Sequence, residues 1–346
     1  YELLKGLLNA WSSADVAAWC SEENVEWFDA DLSSLAVHRA AKASGANQQE
    51  WGPAQSWSVL LRQLSETASE ATMPQVCKAV WGLARAPTSI VQQPNFDLSM
   101  RALQARISAL TDEFDTQGVA SVLHSLGTLR TNQGATWAPR KQTLKALATK
   151  GIQAMHNFTA RDVANSLWAC ARLLHESLRP LNKRLLDHLP LVLASANEQE
   201  IASCFWALAT LQSAEPACSH EVPPHVYNEL RNAALSRVDS FNSQNVSNTL
   251  WALGKLPRDR NMNTGQQRRL LLALEARAAA EVHKLTAQGL TNVLWGLAKT
   301  GVSLSHDAAP VLLKACEHHA PSLDSKEASN SLWSIAMLLS QPLAQA

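Results

Sequence analysis

TNVLWGLAKTG, residues 291–301, sets the fold of this 346-residue chain, because variants of it recur along the sequence. NSLWACARLL follows Ala164, CFWALATLQ follows Ser203, NTLWALGKLP follows Ser247 and NSLWSIAMLL follows Ser329. The phrase therefore marks a structural repeat, and the distance between its copies indicates which kind of repeat it is.

Each copy keeps a ring in one position, which we call the Trp slot. The slot holds Trp81, Trp168, Trp206, Trp251, Trp295 and Trp333, with His38 and His124 in two further copies. Successive slots are 43, 43, 44, 38, 45, 44 and 38 residues apart. Spacings of this size are typical of stacked helical units.

A second column of residues supports the same register. A residue type that favours the N-cap of a helix stands nine positions before every slot: Asp29, Thr72, Asp115, Thr159, Asn197, Asn242, Thr286 and Asp324. Such side chains accept hydrogen bonds from the unpaired N–H groups of a first helical turn. Gln75, Asp162, Glu200 and Glu327 stand three positions after their caps, which suits a capping box. Each slot is therefore predicted to lie on a helix that begins just after its cap.

Between consecutive Trp helices lies a second helical segment, such as PRKQTLKALATKGIQAM or GQQRRLLLALEARAAAEV, preceded by Pro or Gly. We therefore predict an all-α chain, an α-solenoid of about eight helix–turn–helix repeats of 38–45 residues. Residues 1–27 are predicted to form an acidic N-terminal helical cap, with a short helix around DVAAWCSEENVEWF, and residues 28–346 to form the repeat array. We expect the last repeat to be incomplete and the native chain to continue.

Composition narrows the classes of function. The formal net charge is zero, although residues 32–346 carry 29 basic and 23 acidic side chains. The six Cys include no CxxC pair, which fits a reducing compartment, and no apolar run is long enough to span a membrane. Cys316, His318 and His319 cannot all reach one metal ion from a single helical turn, and no catalytic motif occurs. We expect neither an enzyme nor a metal or cofactor site.

The sequence separates two faces on each Trp helix. Positions −5, −4, −1, +2 and +3 relative to the slot are mostly apolar or small, and we predict that they form the core with the Trp at its edge. Positions −3, +1 and +4 share another face: −3 is often Asn or Ser, +1 is small in every repeat except that of Arg39, and +4 is often basic. The small residue is expected to leave room for a ligand between an amide and a cation.

This polar face is a candidate RNA-binding surface. Amides and hydroxyls bond base edges, cations bind phosphate and an indole ring can stack on a base. The same positions also have possible structural roles. The Asn residues at −3 can form a hydrogen-bonded ladder between repeats, and the slot Trp can belong to the core. The basic residues at +4 can interact favourably with the dipole at the helix C-terminus. The residues predicted to contact RNA are Arg39, Lys42, Lys78, Arg85, Asn165, Arg172, Ser203, Asn248, Lys255, Asn292, Lys299 and Asn330.

These phrases resemble the octotricopeptide-type repeats of nucleus-encoded organellar proteins in green algae, and the related heptatricopeptide and FAST-kinase-like repeats. The resemblance rests on NSLWACARLL, CFWALATLQ, NTLWALGKLP, NVLWGLAKTG, AVWGLARAP and LHSLGTLR, and it covers about residues 28–340. It implies binding of organellar rRNA or mRNA in a mitochondrion or chloroplast, as a ribosome-associated subunit or as a factor for transcript stability, processing or translation. The alternative is a protein–protein scaffold subunit of a large organellar complex, with no RNA contact.

Overall fold

The computed structural model describes residues 2–44, 51, 54–134, 137–214, 222–256 and 264–340. Every regular element in these ranges is helical, as predicted, and none of their helices is long and apolar enough to cross a membrane. The α-helices are α1 (Glu2–Asn9), α2 (Ser13–Trp19), α3 (Glu22–Val25), α4 (Ala30–Ser44), α5 (Ala54–Thr67), α6 (Met73–Leu83), α7 (Thr88–Val91), α8 (Pro94–Ala109), α9 (Thr116–Gln133), α10 (Lys141–Gln153), α11 (Ala160–Leu173), α12 (Arg179–Val192), α13 (Glu198–Gln212), α14 (Pro224–Leu235), α15 (Ser243–Lys255), α16 (Thr264–Ala280), α17 (Ala287–Thr300), α18 (Ala308–His319) and α19 (Ser325–Leu339).

The predicted caps begin the eight Trp-slot helices, which are α4, α6, α9, α11, α13, α15, α17 and α19. In seven of them the cap side chain accepts a backbone N–H three residues on, as when Thr286 Oγ1 accepts the Gly289 N–H at 3.0 Å. At Thr72, Gln75 Oε1 accepts the N–H of the cap itself at 2.9 Å. The predicted capping boxes at Asp162, Glu200 and Glu327 are also confirmed.

The N-terminal segment differs from the prediction of one short helix around residues 15–28. Ser12 and Asp15 form a capping box that begins α2, and the helix ends at Trp19. Asn24 Nδ2 then donates to the Trp19 carbonyl at 3.2 Å, so a polar side chain occupies an acceptor that a continuous helix would use. The segment therefore forms two helices, α2 and α3, and α1 precedes them.

A 3₁₀ turn that the sequence did not predict leads into seven of the Trp-slot helices. One residue in extended conformation follows each turn and the N-cap comes next, as at Phe241 before Asn242. The turn lets the chain leave the second helix of one repeat and enter the next Trp-slot helix after only five to seven residues. The turns are Ala68–Glu70, Thr111–Glu113, Met155–Asn157, Leu193–Ser195, Val238–Ser240, Val282–Lys284 and Ala320–Ser322.

Long polar side chains in or just after a neighbouring second helix tie down five of the junctions that precede Trp-slot helices. Arg106 Nε donates to the Ala71 carbonyl and Arg277 Nε to the Phe241 carbonyl, both at 2.7 Å. Gln63 donates to Phe28, Lys150 to Asp112 and Arg237 to Ala194 in the same manner. These bonds satisfy main-chain carbonyls that lie outside the α-helices.

The chain forms two compact units, Tyr1–Phe158 with His175–Arg184, and Thr159–Leu174 with Leu185–Ala346. In the first unit α4 packs on α6 and α6 on α9, while α5, α8 and α10 pack in succession. In the second unit α11, α13, α15, α17 and α19 pack in that order, and α14, α16 and α18 follow the same rule. Packing of each helix on the next equivalent helix is consistent with an α-solenoid. The predicted domain boundary at residue 28 stays a prediction.

The core face is confirmed, but the role predicted for position +1 is wrong. Leu290, Thr291, Leu294, Leu297 and Ala298 of α17 are all buried. A Cβ added to Gly296, at +1, would lie 2.3 Å from the carbonyl oxygen of Leu250 on α15. At Gly82 the same atom would lie 2.7 Å from the carbonyl oxygen of Val37 on α4. The small residue thus admits the preceding Trp-slot helix and not a ligand.

Gly296→Ala tests this backbone contact. We expect a net loss of about 1–3 kcal/mol in the free energy of unfolding, the usual range for an overpacked core. The better helix propensity of Ala, about 1 kcal/mol, opposes this loss without cancelling it, because the new methyl group would meet backbone. Urea unfolding followed by circular dichroism measures the change. Asn292→Ala on the same helix is the control and should stay within about 0.5 kcal/mol of the wild type. Wild-type stability of Gly296→Ala would contradict the contact.

Candidate nucleic-acid interface

The slot rings lie next to one another at the edge of the core. In the second unit the ring centroids of Trp168 and Trp206 are 6.3 Å apart, and those of Trp206 and Trp251 are 6.2 Å apart and nearly parallel, at 19°. In the first unit His38 lies 5.0 Å from Trp81. All of these rings are partly exposed. We call these side-by-side rings, one pair in the first unit and a run of three in the second, the ladder.

Basic residues at +4 lie against these rings. Arg172 Cζ is 5.3 Å from the ring centroid of Trp168 and 4.2 Å from that of Trp206. Lys299 Nζ is 5.6 Å from Trp295 and 4.8 Å from Trp333. A cation over an indole face contributes roughly 0.5–2 kcal/mol, so Arg172 and Lys299 each join two consecutive repeats. Because cations cover ring faces, the Trp residues are less suited to stack on bases than the sequence suggested.

The +4 cations differ in how far they are buried. Burial lowers the pKa of both the Arg85 and the Arg172 guanidinium. Arg85 Cζ lies 4.0 Å from the Trp81 ring centroid, and its Nη1 donates to the Trp81 carbonyl at 3.0 Å. Lys255, 5.3 Å from the ring of Trp251, and Lys299 remain exposed. The arginines therefore mainly contact the slot rings, whereas the lysines can also bind an anion from solution.

The amides at −3 have a different environment. Asn165, Asn248, Asn292 and Asn330 are partly exposed, and their side chains make no hydrogen bond within the part of the chain that the structure describes. Ser203, at −3 of α13, is partly exposed as well. The Asn ladder between repeats therefore does not form. An amide that recurs at one position without a protein partner is left to bond water or a ligand. We call the −3 and +4 side chains of α11, α13, α15, α17 and α19 the polar row.

Arg39 does not belong to such a surface. It occupies +1 of α4, where other repeats carry a small residue, and its guanidinium donates to the carbonyls of Leu8 at 2.7 Å and Ala10 at 2.9 Å. Arg39 therefore fastens α4 to the end of α1. The prediction that it contacts RNA is replaced by this structural role.

The remaining predicted residues of the first unit lie around His38. Burial first, and then the charges of Lys42, Lys78, Arg39 and Arg85, lower the pKa of His38. Lys78 Nζ also lies 4.0 Å from Asp31 Oδ1, an exposed pair of little energetic weight. Lys42, Lys78 and Arg85 thus form a small basic patch on the first unit.

No family model matches this chain, and a search of curated proteins gives no match. The predicted kinship with octotricopeptide-type repeats therefore stays a prediction. In the described ranges, no three His, Cys, Asp or Glu side chains are grouped so that they could hold a metal ion.

His124 gives the stability of the protein a pH dependence. Burial, and then the charge of Arg85, lower the pKa of His124 from 6.5 to about 4. The unfolded chain takes up this proton near pH 6.5 and the folded chain only near pH 4, so stability is full above pH 6.5 and falls as the pH drops through that interval.

His124→Gln removes this titration. The loss of unfolding free energy between pH 6.5 and pH 4 should shrink by up to about 3 kcal/mol relative to the wild type. Urea unfolding at a series of pH values measures this pH dependence. The titration of His38 affects the unfolding free energy of both proteins equally. Identical pH profiles for the two proteins would show that His124 is not held neutral.

Proposed function

We propose that the chain is an RNA-binding helical-repeat protein of the octotricopeptide type, with about eight repeats of 38–45 residues. It works in a mitochondrion or chloroplast, either as a ribosome-associated subunit or as a factor for transcript stability, processing or translation. The observation that carries the proposal is the polar row, in which unpaired amides at −3 stand two helical turns from cations at +4.

The chemistry of the polar row suits single-stranded or looped RNA. An Asn amide both donates and accepts, which matches the exposed edge of an unpaired base. The ammonium groups of Lys255 and Lys299 suit phosphate. One repeat for each nucleotide is how other helical-repeat RNA readers work, and the second unit places one −3 side chain on each Trp-slot helix.

The charge of the surface favours a moderate affinity for RNA that depends weakly on salt concentration. The chain has no net charge, so attraction to RNA depends on local cations. The polar row contains three, Arg172, Lys255 and Lys299, which predicts a slope of about −2 for log affinity against log salt with a single strand. The basic patch of Lys42, Lys78 and Arg85 is a second contact zone in the first unit.

Replacement of the four amides separates recognition from folding. A quadruple Ala variant should bind RNA about tenfold or more weakly than the wild type, because base-edge hydrogen bonds are lost. The substituted residues are Asn165, Asn248, Asn292 and Asn330. The melting temperature should change little, since no hydrogen bond within the described chain is removed. The assay is filter binding with an RNA identified by sequencing what co-purifies with the protein.

A charge reversal with a matched control tests the cations. Lys255→Glu with Lys299→Glu should lower RNA affinity by at least about tenfold and flatten the salt slope. Lys314→Glu with Lys326→Glu changes two exposed lysines of α18 and α19 outside the polar row, and RNA affinity should fall much less. Equal RNA affinities for the two double variants and for the quadruple Asn variant would argue against RNA binding at the polar row. Loss of a protein partner instead of RNA would favour the scaffold alternative.

A further inference from the structure

Basic side chains concentrate on two consecutive second helices, although the chain as a whole has no net charge. Residues 140–187 hold nine basic side chains and three acidic ones, whereas the whole chain holds 30 of each. Six of the nine are exposed on or beside α10 and α12 and belong to the first unit. We call these six the second-helix face: Arg140, Lys141, Lys145, Arg179, Lys183 and Arg184.

The two helices that carry the second-helix face contact each other. A Cβ added to Gly151 of α10 would lie 3.0 Å from Leu181 Cδ1 of α12. The helix α10 also packs on the 3₁₀ turn Glu176–Leu178, which leads directly into α12. The six cations therefore lie on neighbouring elements and form one surface.

Like charges repeat along both of these helices. Lys141 and Lys145 stand four residues apart on α10, and Arg179 and Lys183 stand four residues apart on α12. Side chains at this spacing are neighbours on a helix, and two like charges there destabilise it. A bound polyanion would relieve this repulsion, so the arrangement suits an anionic ligand.

Two carboxylates offset part of the charge. Glu176 accepts a hydrogen bond from Lys141 Nζ, and this bond, with the charge of Lys145 in addition, lowers the pKa of Glu176. Asp187 follows Lys183 by one turn on α12. Six basic side chains and two carboxylates leave a net charge of +4 on this surface.

The surroundings of these cations lack apolar anchors. None of the large apolar residues that are exposed in the described chain lies on α10 or between residues 175 and 184. Leu174 and Leu191, the nearest in sequence, lie outside this range. Protein interfaces and membrane-bound helices depend on such anchors, and sites for unpaired bases use aromatic rings. The second-helix face therefore suits a ligand that presents phosphate without bases.

We propose that the second-helix face binds the phosphate backbone of double-helical RNA, such as the stem of a structured RNA. A duplex keeps its bases stacked and presents phosphate and 2′-hydroxyl groups, and proteins bind it largely through these groups. Its charge density also favours clustered cations, because their binding releases counterions. This inference rests on the proposed RNA-binding function and adds a contact for paired RNA to the polar row, which binds unpaired bases.

Duplex binding should depend more steeply on salt than binding of a single strand. Four net charges predict a slope of about −4 for log affinity against log salt, whereas the polar row predicts about −2. The probe is a fluorescein-labelled, blunt-ended RNA duplex of about 20 base pairs. Fluorescence anisotropy with the full chain, between about 50 and 200 mM salt, measures the affinity and the slope. Absence of saturable duplex binding would overturn the proposal.

A triple neutralisation with a matched control localises the duplex. Lys145→Gln, Lys183→Gln and Arg184→Gln together should weaken duplex affinity by at least about tenfold and flatten the salt slope. The control changes three exposed cations of other second helices to Gln: Arg268, Arg269 and Lys314. Both variants lose the same charge, but the control should lose less than about threefold in duplex affinity. Equal losses would assign duplex binding to the overall charge and would overturn the proposal.

A single-strand assay separates this proposal from the proposed function. The probe is an unpaired segment of the RNA that co-purifies with the protein. Its affinity should change by less than about threefold in the triple variant of the second-helix face, which leaves the polar row intact. Single-strand binding without duplex binding would contradict the second-helix face alone. Duplex binding that the triple variant abolishes, without single-strand binding, would support the second-helix face and contradict the polar row.

Discussion

The fold depends on a close backbone approach between consecutive Trp-slot helices through one small side chain. At Gly296 and Gly82 even a methyl group would collide with the carbonyl oxygen of the preceding helix. Where Gly82 makes this contact, the rings of His38 and Trp81 lie 5.0 Å apart. In α13 and α15, whose +1 residue is Ala, successive Trp rings lie 6.3 and 6.2 Å apart. The cations beside the rings depend on this spacing, because Arg172 reaches two rings at once.

The +4 cations and the −3 amides share one face of the Trp-slot helices but differ in the partners that they find in the described chain. Four of the +4 cations, Arg85, Arg172, Lys255 and Lys299, already lie over slot rings, and Arg172 contacts two of them. The amides at −3 find no protein partner in the described chain. A stable ladder thus holds a set of unsatisfied amides in register, which is what a recognition surface requires.

Local chemistry was predictable from the sequence, and contacts between repeats were not. The caps at Asp29 to Asp324 and the buried face of α17 follow from helical periodicity and from the first-turn N–H groups, which each segment carries alone. The role of Gly296 depends on a carbonyl 46 residues earlier, so a small residue at +1 was misread as space for a ligand. The structural role of Arg39 is hidden from local sequence for the same reason, since its partners lie in and just after α1. The bonds from Gln63, Arg106, Lys150 and Arg277 were missed, although each stands nine residues before an N-cap and a search for that column would have found them.

Cross-linking of bound RNA tests whether RNA lies along the polar row. Organellar RNA substituted with 4-thiouridine would be irradiated on the full chain, and the adducts located by mass spectrometry. Contact along the polar row predicts adducts on α11, α15 and α17, at or beside Asn165, Asn248 and Asn292. Adducts confined to the second helices α14, α16 and α18, or no adducts at saturating RNA, would contradict the account.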